Sequence, residues 1–250
     1  MEKKKLLKYL LISFGITWIL WISDAILIKL TDFKTNDLFP MILFTLGGFG
    51  PTISAIFCME EKITLKNILS FIFKGNSRSI PILVMFLILE ILIFGLSSCE
   101  LNPQINISFL PIIIIQAVIL YGGNEELGWR GIMQKEMQKI ISYPIATLTV
   151  GTIWSIWHLP LWFIEGNSHQ GSSFIIFAIF AILLSYWLAA IINTKGSVFL
   201  CMIMHGIINT LLSFFVIKVN WILIAGLILL TTISVLIGTK NKNRIVPKQL

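Results

Sequence analysis

Charge is what this chain has least of. Asp, Glu, Lys and Arg together make up 12% of it, against 56% hydrophobic residues and a mean hydropathy of +0.90. Soluble globular domains carry about twice that share of charge, which leaves an integral membrane protein as the class. The three cysteines, Cys58, Cys99 and Cys201, sit in or beside apolar runs without metal-type spacing. A disulfide framework and a structural zinc site are thereby set aside, and all three read as small apolar fillers. No Pro/Gly/Ser-rich linker and no repeat of 20 to 50 residues divides the chain, so residues 1–250 are expected to form one membrane-embedded domain. A Gly-x-Ser-x-Gly nucleophile elbow and a Walker-type phosphate loop are also missing, which speaks against those catalytic classes. The net charge is +7, but the basic residues are scattered between apolar segments, so nucleic acid is not expected as a partner.

What the chain does have is a series of apolar runs near 20 residues, the length that crosses a bilayer as a helix. They lie at roughly 6–30, 40–59, 79–98, 108–138, 143–164, 172–194, 197–217 and 219–239. The expected fold is all-α, a multi-pass transmembrane bundle of about eight spans, with a catalytic core over about 108–217. Lys3, Lys4, Lys5 and Lys8, then Lys62, Lys66, Lys74 and Arg78, then Lys135, Lys139 and Lys195, then Lys240, Lys242, Arg244 and Lys248 all fall on one side of such a bundle. Only Lys29, Lys34 and Lys218 fall on the other. The positive-inside rule then places the protein in the cell membrane with both termini cytoplasmic. The first run has a signal-like basic start but is long and lacks a small-x-small cleavage site, so it reads as an uncleaved anchor.

Three polar clusters interrupt these runs: Glu125-Glu126-Leu127-Gly128-Trp129-Arg130, Trp154 with His158, and His205 with Asn209. Ionisable groups inside a spanning segment are costly and by default mark function. On an α-helix neighbours diverge by about 100° while residues four apart share a face. Glu126 and Arg130 are therefore expected to pair as structural support, leaving Glu125 to face a neighbouring helix. Trp154, His158 and Trp162 share one face, which would set aromatic walls beside the imidazole, and Pro160 should distort that helix. His205 and Asn209 present an imidazole and an amide one turn apart. At about 1.5 Å per residue from the cytoplasmic ends, Glu125 and His158 lie about 21 Å deep, Asn209 about 20 Å and His205 about 14 Å, close enough to converge. His169 lies in the polar stretch 165–173 and is read as a surface residue. Gly47, Gly48, Gly50 and Pro51 interrupt the second run, where they permit close helix packing and a kink that could free a carbonyl.

The order Glu-Glu-x-x-x-Arg, aromatic-x-x-x-His, His-x-x-x-Asn resembles the CPBP family of intramembrane proteases, which includes type II CAAX prenyl endopeptidases and bacteriocin-processing or immunity proteins. The resemblance covers about residues 120–210, with Trp154 where the family commonly has Phe. It implies an intramembrane endopeptidase in which Glu125 and His158 activate water, while His205 and Asn209 polarise the scissile carbonyl and stabilise the oxyanion. Glu126, Arg130 and Trp154 support them. It also implies a peptide or protein substrate, with prenylated proteins and bacteriocin-like leader peptides as the candidate classes, and the lipid bilayer as surroundings.

Hydrolysis needs a base for water and donors for the oxyanion, and these residue types supply both. One Glu with two His also matches a three-ligand zinc site, so Glu125, His158 and His205 form the alternative metal set. No His-Glu-x-x-His motif is present, and a metal-free glutamate mechanism without cofactor is the preferred expectation. Two other readings compete. One is a transporter or proton relay through Asp24, Glu90, Glu125, His158 and His205; the other is a non-catalytic immunity protein that binds a peptide in the same cavity.

Overall fold

The protein is described by a computed structural model covering residues 2–97, 100–103 and 105–241. Cys99, read as an apolar filler, and the basic residues Lys242, Arg244 and Lys248, read as cytoplasmic, lie outside the described residues. The architecture is an all-α multi-pass membrane bundle. Six helical stretches are long and apolar enough to cross a bilayer: Lys3–Leu30, Leu38–Cys58, Ser77–Leu96, Ile107–Ile140, Phe174–Asn193 and Trp221–Asn241. The remaining two of the eight expected spans are shorter as helices, Tyr143–Trp157 and Val198–Phe214.

The first helix, α1 (Glu2–Leu30), packs against α2 (Leu38–Gly48) and α3 (Gly50–Cys58). The Gly-rich run ends α2 at Phe49, and Pro51 sits in the first turn of α3, where its missing N–H leaves no bond unmade. The carbonyls released by this break are used: Thr17 donates to Gly47 (2.7 Å) and Asn124 to Gly48 (3.1 Å). A short amphipathic helix, α4 (Leu65–Phe73), follows with Thr64 as its cap, and α5 (Ile80–Leu96) returns across the bundle. A two-residue ribbon pairs β1 (Glu100–Leu101) antiparallel with β2 (Phe215–Val216).

The fourth expected span is not one helix. It runs as α6 (Leu110–Ile119), leaves helical geometry at Leu120–Gly122, and resumes as a tight 3-10 turn at Gly123–Glu125. Then come α7 (Glu126–Gly128), a wide π turn at Trp129–Met133, and α8 (Gln134–Ile140). Gly122 has φ +118°, a conformation that side-chain-bearing residues avoid, so the Gly-Gly pair is the physical cause of the break. Gly128 permits a close crossing: a Cβ there would lie 2.4 Å from Tyr9 Oη and 2.6 Å from the Pro51 carbonyl. At the end of this segment, Lys5 of α1 reaches both Glu60 and Glu136 at 2.9 Å.

The remaining helices are α9 (Tyr143–Trp157), α10 (Phe174–Asn193), α11 (Val198–Phe214) and α12 (Trp221–Asn241). Pro160 stops α9 rather than merely bending it: His158 is the C-cap, and Leu159–Phe163 form a 3-10 turn. Helix α10 is the central strut, packed on α9 and α12, with Tyr186 donating to the Pro144 carbonyl (2.8 Å) and Trp187 to Thr231 (3.0 Å). Large apolar side chains such as Leu11, Ile19, Ile88 and Ile179 point outward. That is the lipid-facing surface a membrane bundle needs and a soluble one avoids.

Candidate active site

The break at residues 120–125 lifts Glu125 out of a regular helix and lets two adjacent carboxylates reach different partners. Glu125 turns toward α9. Its Oε2 accepts the Trp154 indole N–H at 2.7 Å and lies 3.8 Å from His158 Nε2. Glu126 turns toward α11, with Oε1 at 2.9 Å from His205 Nδ1 and Oε2 at 3.3 Å from Arg130 Nε. Arg130 and Glu126 are fully buried. Glu126 is therefore more than Arg130's counter-ion, because it also orients the imidazole of His205.

Both imidazoles are held in a defined tautomer. The acceptor of His158 Nδ1 is the Trp154 carbonyl at 2.8 Å, which puts a proton on Nδ1. The Glu126 carboxylate does the same for His205 Nδ1. In each ring the other nitrogen, Nε2, is left for whatever enters the site. Asn209 donates one amide hydrogen to the Tyr121 carbonyl at 2.9 Å, one turn of α11 beyond His205, and retains a second. That carbonyl belongs to the broken segment, so the break both frees an acceptor and aims Asn209 with it.

Glu125, His158, His205 and Asn209 all line one cavity of about 670 Å³. Aromatic side chains make much of its wall. His158 packs edge-on against Trp154, Trp157 and Phe177, with Trp21 beyond. Trp162 does not flank His158 as the shared helical face suggested. With α9 ended at Pro160, its ring swings to His169, Phe174 and Phe177. His169 departs from expectation too. It is half-buried at the cavity rim, with Nδ1 on Asn167 Oδ1 at 2.9 Å, and burial among aromatic rings holds its imidazole below the ordinary histidine value.

Three further residues shape the site without standing out in the sequence. Gly122 forms part of its wall: a Cβ there would lie 2.4 Å from Asn209 Nδ2 and 2.8 Å from His205 Nε2. Asn124 pins the broken segment, accepting from Gly122 N at 3.2 Å while its amide holds Gly48 and its carbonyl takes the Thr52 hydroxyl at 2.6 Å. Tyr121 supplies the carbonyl for Asn209. The cue was the breaker run Gly122-Gly123-Asn124 immediately before the two glutamates.

The alternative readings can be set against this geometry. Asp24 and Glu90 do not line the cavity, and their buried carboxylates meet no hydrogen-bond partner among the described residues. The chain of groups that a relay requires is not continuous through them. For zinc, no three His, Cys, Asp or Glu side chains among the described residues stand close enough together to hold one ion. Glu125 Oε2, moreover, already takes an indole N–H.

Fold and site together define an all-α, multi-pass membrane protein with a buried Glu/His/His/Asn cavity between its helices. Comparison with known proteins narrows that class. Residues 105–211 match the family model of type II CAAX prenyl endopeptidase Rce1-like proteins. The chain is also 26% identical over 228 residues to CAAX prenyl protease 2 of Methanococcus maripaludis, an alignment covering 80% of this chain and 81% of that protein. The similarity is thus to an Rce1-like CAAX prenyl endopeptidase domain, and the matched segment holds all three polar clusters.

Proposed function

We propose that this protein is an intramembrane endopeptidase that hydrolyses a peptide bond with water activated by Glu125 and His158. The observation that carries the reading is the convergence of Glu125, His158, His205 and Asn209 on one cavity, with both histidines anchored through Nδ1. Glu125 Oε2 and His158 Nε2 are both acceptors, 3.8 Å apart, a separation that one bridging water suits. Glu125 takes a proton from that water as its oxygen attacks the scissile carbonyl carbon. The carbonyl oxygen becomes an oxyanion facing the spare N–H of Asn209 and Nε2 of His205, the latter a donor when the ring is protonated. The protonated Glu125 then passes its proton to the leaving nitrogen as the C–N bond breaks. Glu126 and Arg130 hold His205 in place throughout.

The substrate is a peptide or protein segment reached from the membrane, and the relative's description makes a prenylated CAAX-type C-terminus the first to try. The charge asymmetry of the loops supports cytoplasmic termini. The test is cleavage of a farnesylated CAAX-ended peptide by detergent-purified protein. Glu125→Gln keeps size and hydrogen bonding but removes the base, and should preserve folding and binding while cutting the rate at least about 10²-fold. Asn209→Ala should lose on the order of 10²- to 10³-fold, as removal of an oxyanion donor does. Activity that a chelator abolishes and zinc restores would overturn the metal-free mechanism. Near-wild-type cleavage by Glu125→Gln would overturn the catalytic assignment as a whole.

A further inference from the structure

Trp154 occupies an unusual position between the two residues proposed to handle water. Its backbone carbonyl takes the Nδ1 proton of His158 at 2.8 Å, and its indole N–H donates to Glu125 Oε2 at 2.7 Å. One residue thus sets where the imidazole and the carboxylate stand relative to each other. The indole itself has little freedom, being 2% exposed. The Arg130 guanidinium lies over its ring at 5.3 Å from the centroid, and His158 and His205 meet it edge-on at 5.6 and 5.2 Å.

Two other buried indoles also donate, Trp21 to the Phe44 carbonyl at 2.8 Å and Trp187 to the Thr231 hydroxyl at 3.0 Å, but the partner of Trp154 is a carboxylate inside the cavity. A wall for the histidines needs only an aromatic ring, and Phe would supply one. What Phe lacks is the N–H. A carboxylate free to rotate in a cavity spends part of its time misaligned with the water it must deprotonate, whereas a donor on Oε2 fixes the carboxylate plane and leaves that oxygen's second lone pair for the water shared with His158 Nε2. We propose that the Trp154 indole N–H is a positioning donor that fixes the Glu125 carboxylate for water activation.

This inference rests on Glu125 acting as the base, so its test carries one readout that needs no catalysis. In protein labelled with ¹⁵N at its tryptophan indoles, the Trp154 N–H signal is identified by its loss in Trp154→Phe. It should sit downfield in the wild type and move upfield in Glu125→Gln, because a neutral amide is a weaker acceptor than a carboxylate. In steady-state cleavage of the farnesylated peptide, Trp154→Phe should lower kcat about 10- to 100-fold, the range for a lost hydrogen bond to a charged group, with KM held within about twofold. Trp187→Phe is the control. It deletes a buried indole hydrogen bond of the same kind, to Thr231 at 3.0 Å, outside the cavity. It should destabilise the fold without touching kcat.

Wild-type kcat in Trp154→Phe, or an equal fall in Trp187→Phe, would overturn the proposal, as would an indole signal indifferent to Glu125→Gln. If the peptide were cleaved equally well by Glu125→Gln, the functional reading would fall instead. The indole signal would then still decide whether the contact exists.

Discussion

Replacing Gly122 by Ala adds one methyl group at the point where the broken helix meets the site. Two penalties follow. The residue has φ +118°, which a side chain tolerates only at a cost of about 1–3 kcal/mol. The new Cβ would also sit 2.4 Å from Asn209 Nδ2 and 2.8 Å from His205 Nε2, both under any acceptable contact. Relieving such overpacking costs typically about 1–3 kcal/mol more. The sum, about 2–6 kcal/mol, corresponds to a fall in melting temperature of roughly 5–20 °C for a domain of this size. Any relief comes from displacing Asn209 or His205. A shift of about 1 Å there is enough to cost on the order of 10²-fold in rate. Thermal unfolding in detergent and peptide cleavage would be measured beside Gly95→Ala, whose Cβ would meet nothing within 4 Å. That control should match or slightly exceed wild-type stability, since Ala is the better helix former. A Gly122→Ala protein as stable and as active as the Gly95→Ala control would refute the account of the break.

Two further outcomes are expected. Arg130→Ala leaves the buried Glu126 carboxylate without its cation and should cost about 3–5 kcal/mol, seen as lower folded yield and a lower melting temperature; unchanged yield would remove the pair from the structural account. If both termini are cytoplasmic, a cysteine placed at Ser168 should label from outside the cell and one at Ile68 only after permeabilisation, and labelling of both from one side would contradict that topology.

Much of the fold was legible because lipid imposes a simple rule: apolar runs of about 20 residues become helices, since nothing else satisfies the backbone there. The four-residue spacing of Glu126 and Arg130 likewise carried their proximity directly. What the sequence concealed were the places where helices stop. Ile112 to Leu120 flow without a polar residue other than Gln116 into Gly122-Gly123, and the apolar count outweighed the breaker signal. The same happened after Trp157, where Pro160 was given a bend and in fact ended the helix. Each such ending moves a neighbour: a continuous helix puts Trp162 beside His158 and His169 at the surface, whereas the 3-10 turn carries Trp162 to His169, Phe174 and Phe177. Regular helical angles separate Glu125 from Glu126, whereas in the structure the break at residues 120–125 and the turns after it set the two directions. The bond from Glu126 to His205 spans 79 positions in the chain and depends on tertiary packing that no local pattern encodes.

The cavity also bears on a supply problem that any hydrolysis in a membrane must solve, since the second reactant is insoluble in the surrounding lipid. At about 30 Å³ per molecule of liquid, a volume of about 670 Å³ has room for roughly twenty waters. The carboxylate, imidazoles and carboxamide give such waters the two to four polar partners that each requires. On the proposed function, the interior serves as a reservoir as well as a binding site. An incoming peptide must expel most of that liquid from the walls of Phe44, Phe177, Phe180 and Leu184. Release of water from apolar walls marks binding with a negative heat-capacity change. On the proposed mechanism, the water retained between Glu125 and His158 is the one with the most polar partners, so filling the site would also select the nucleophile.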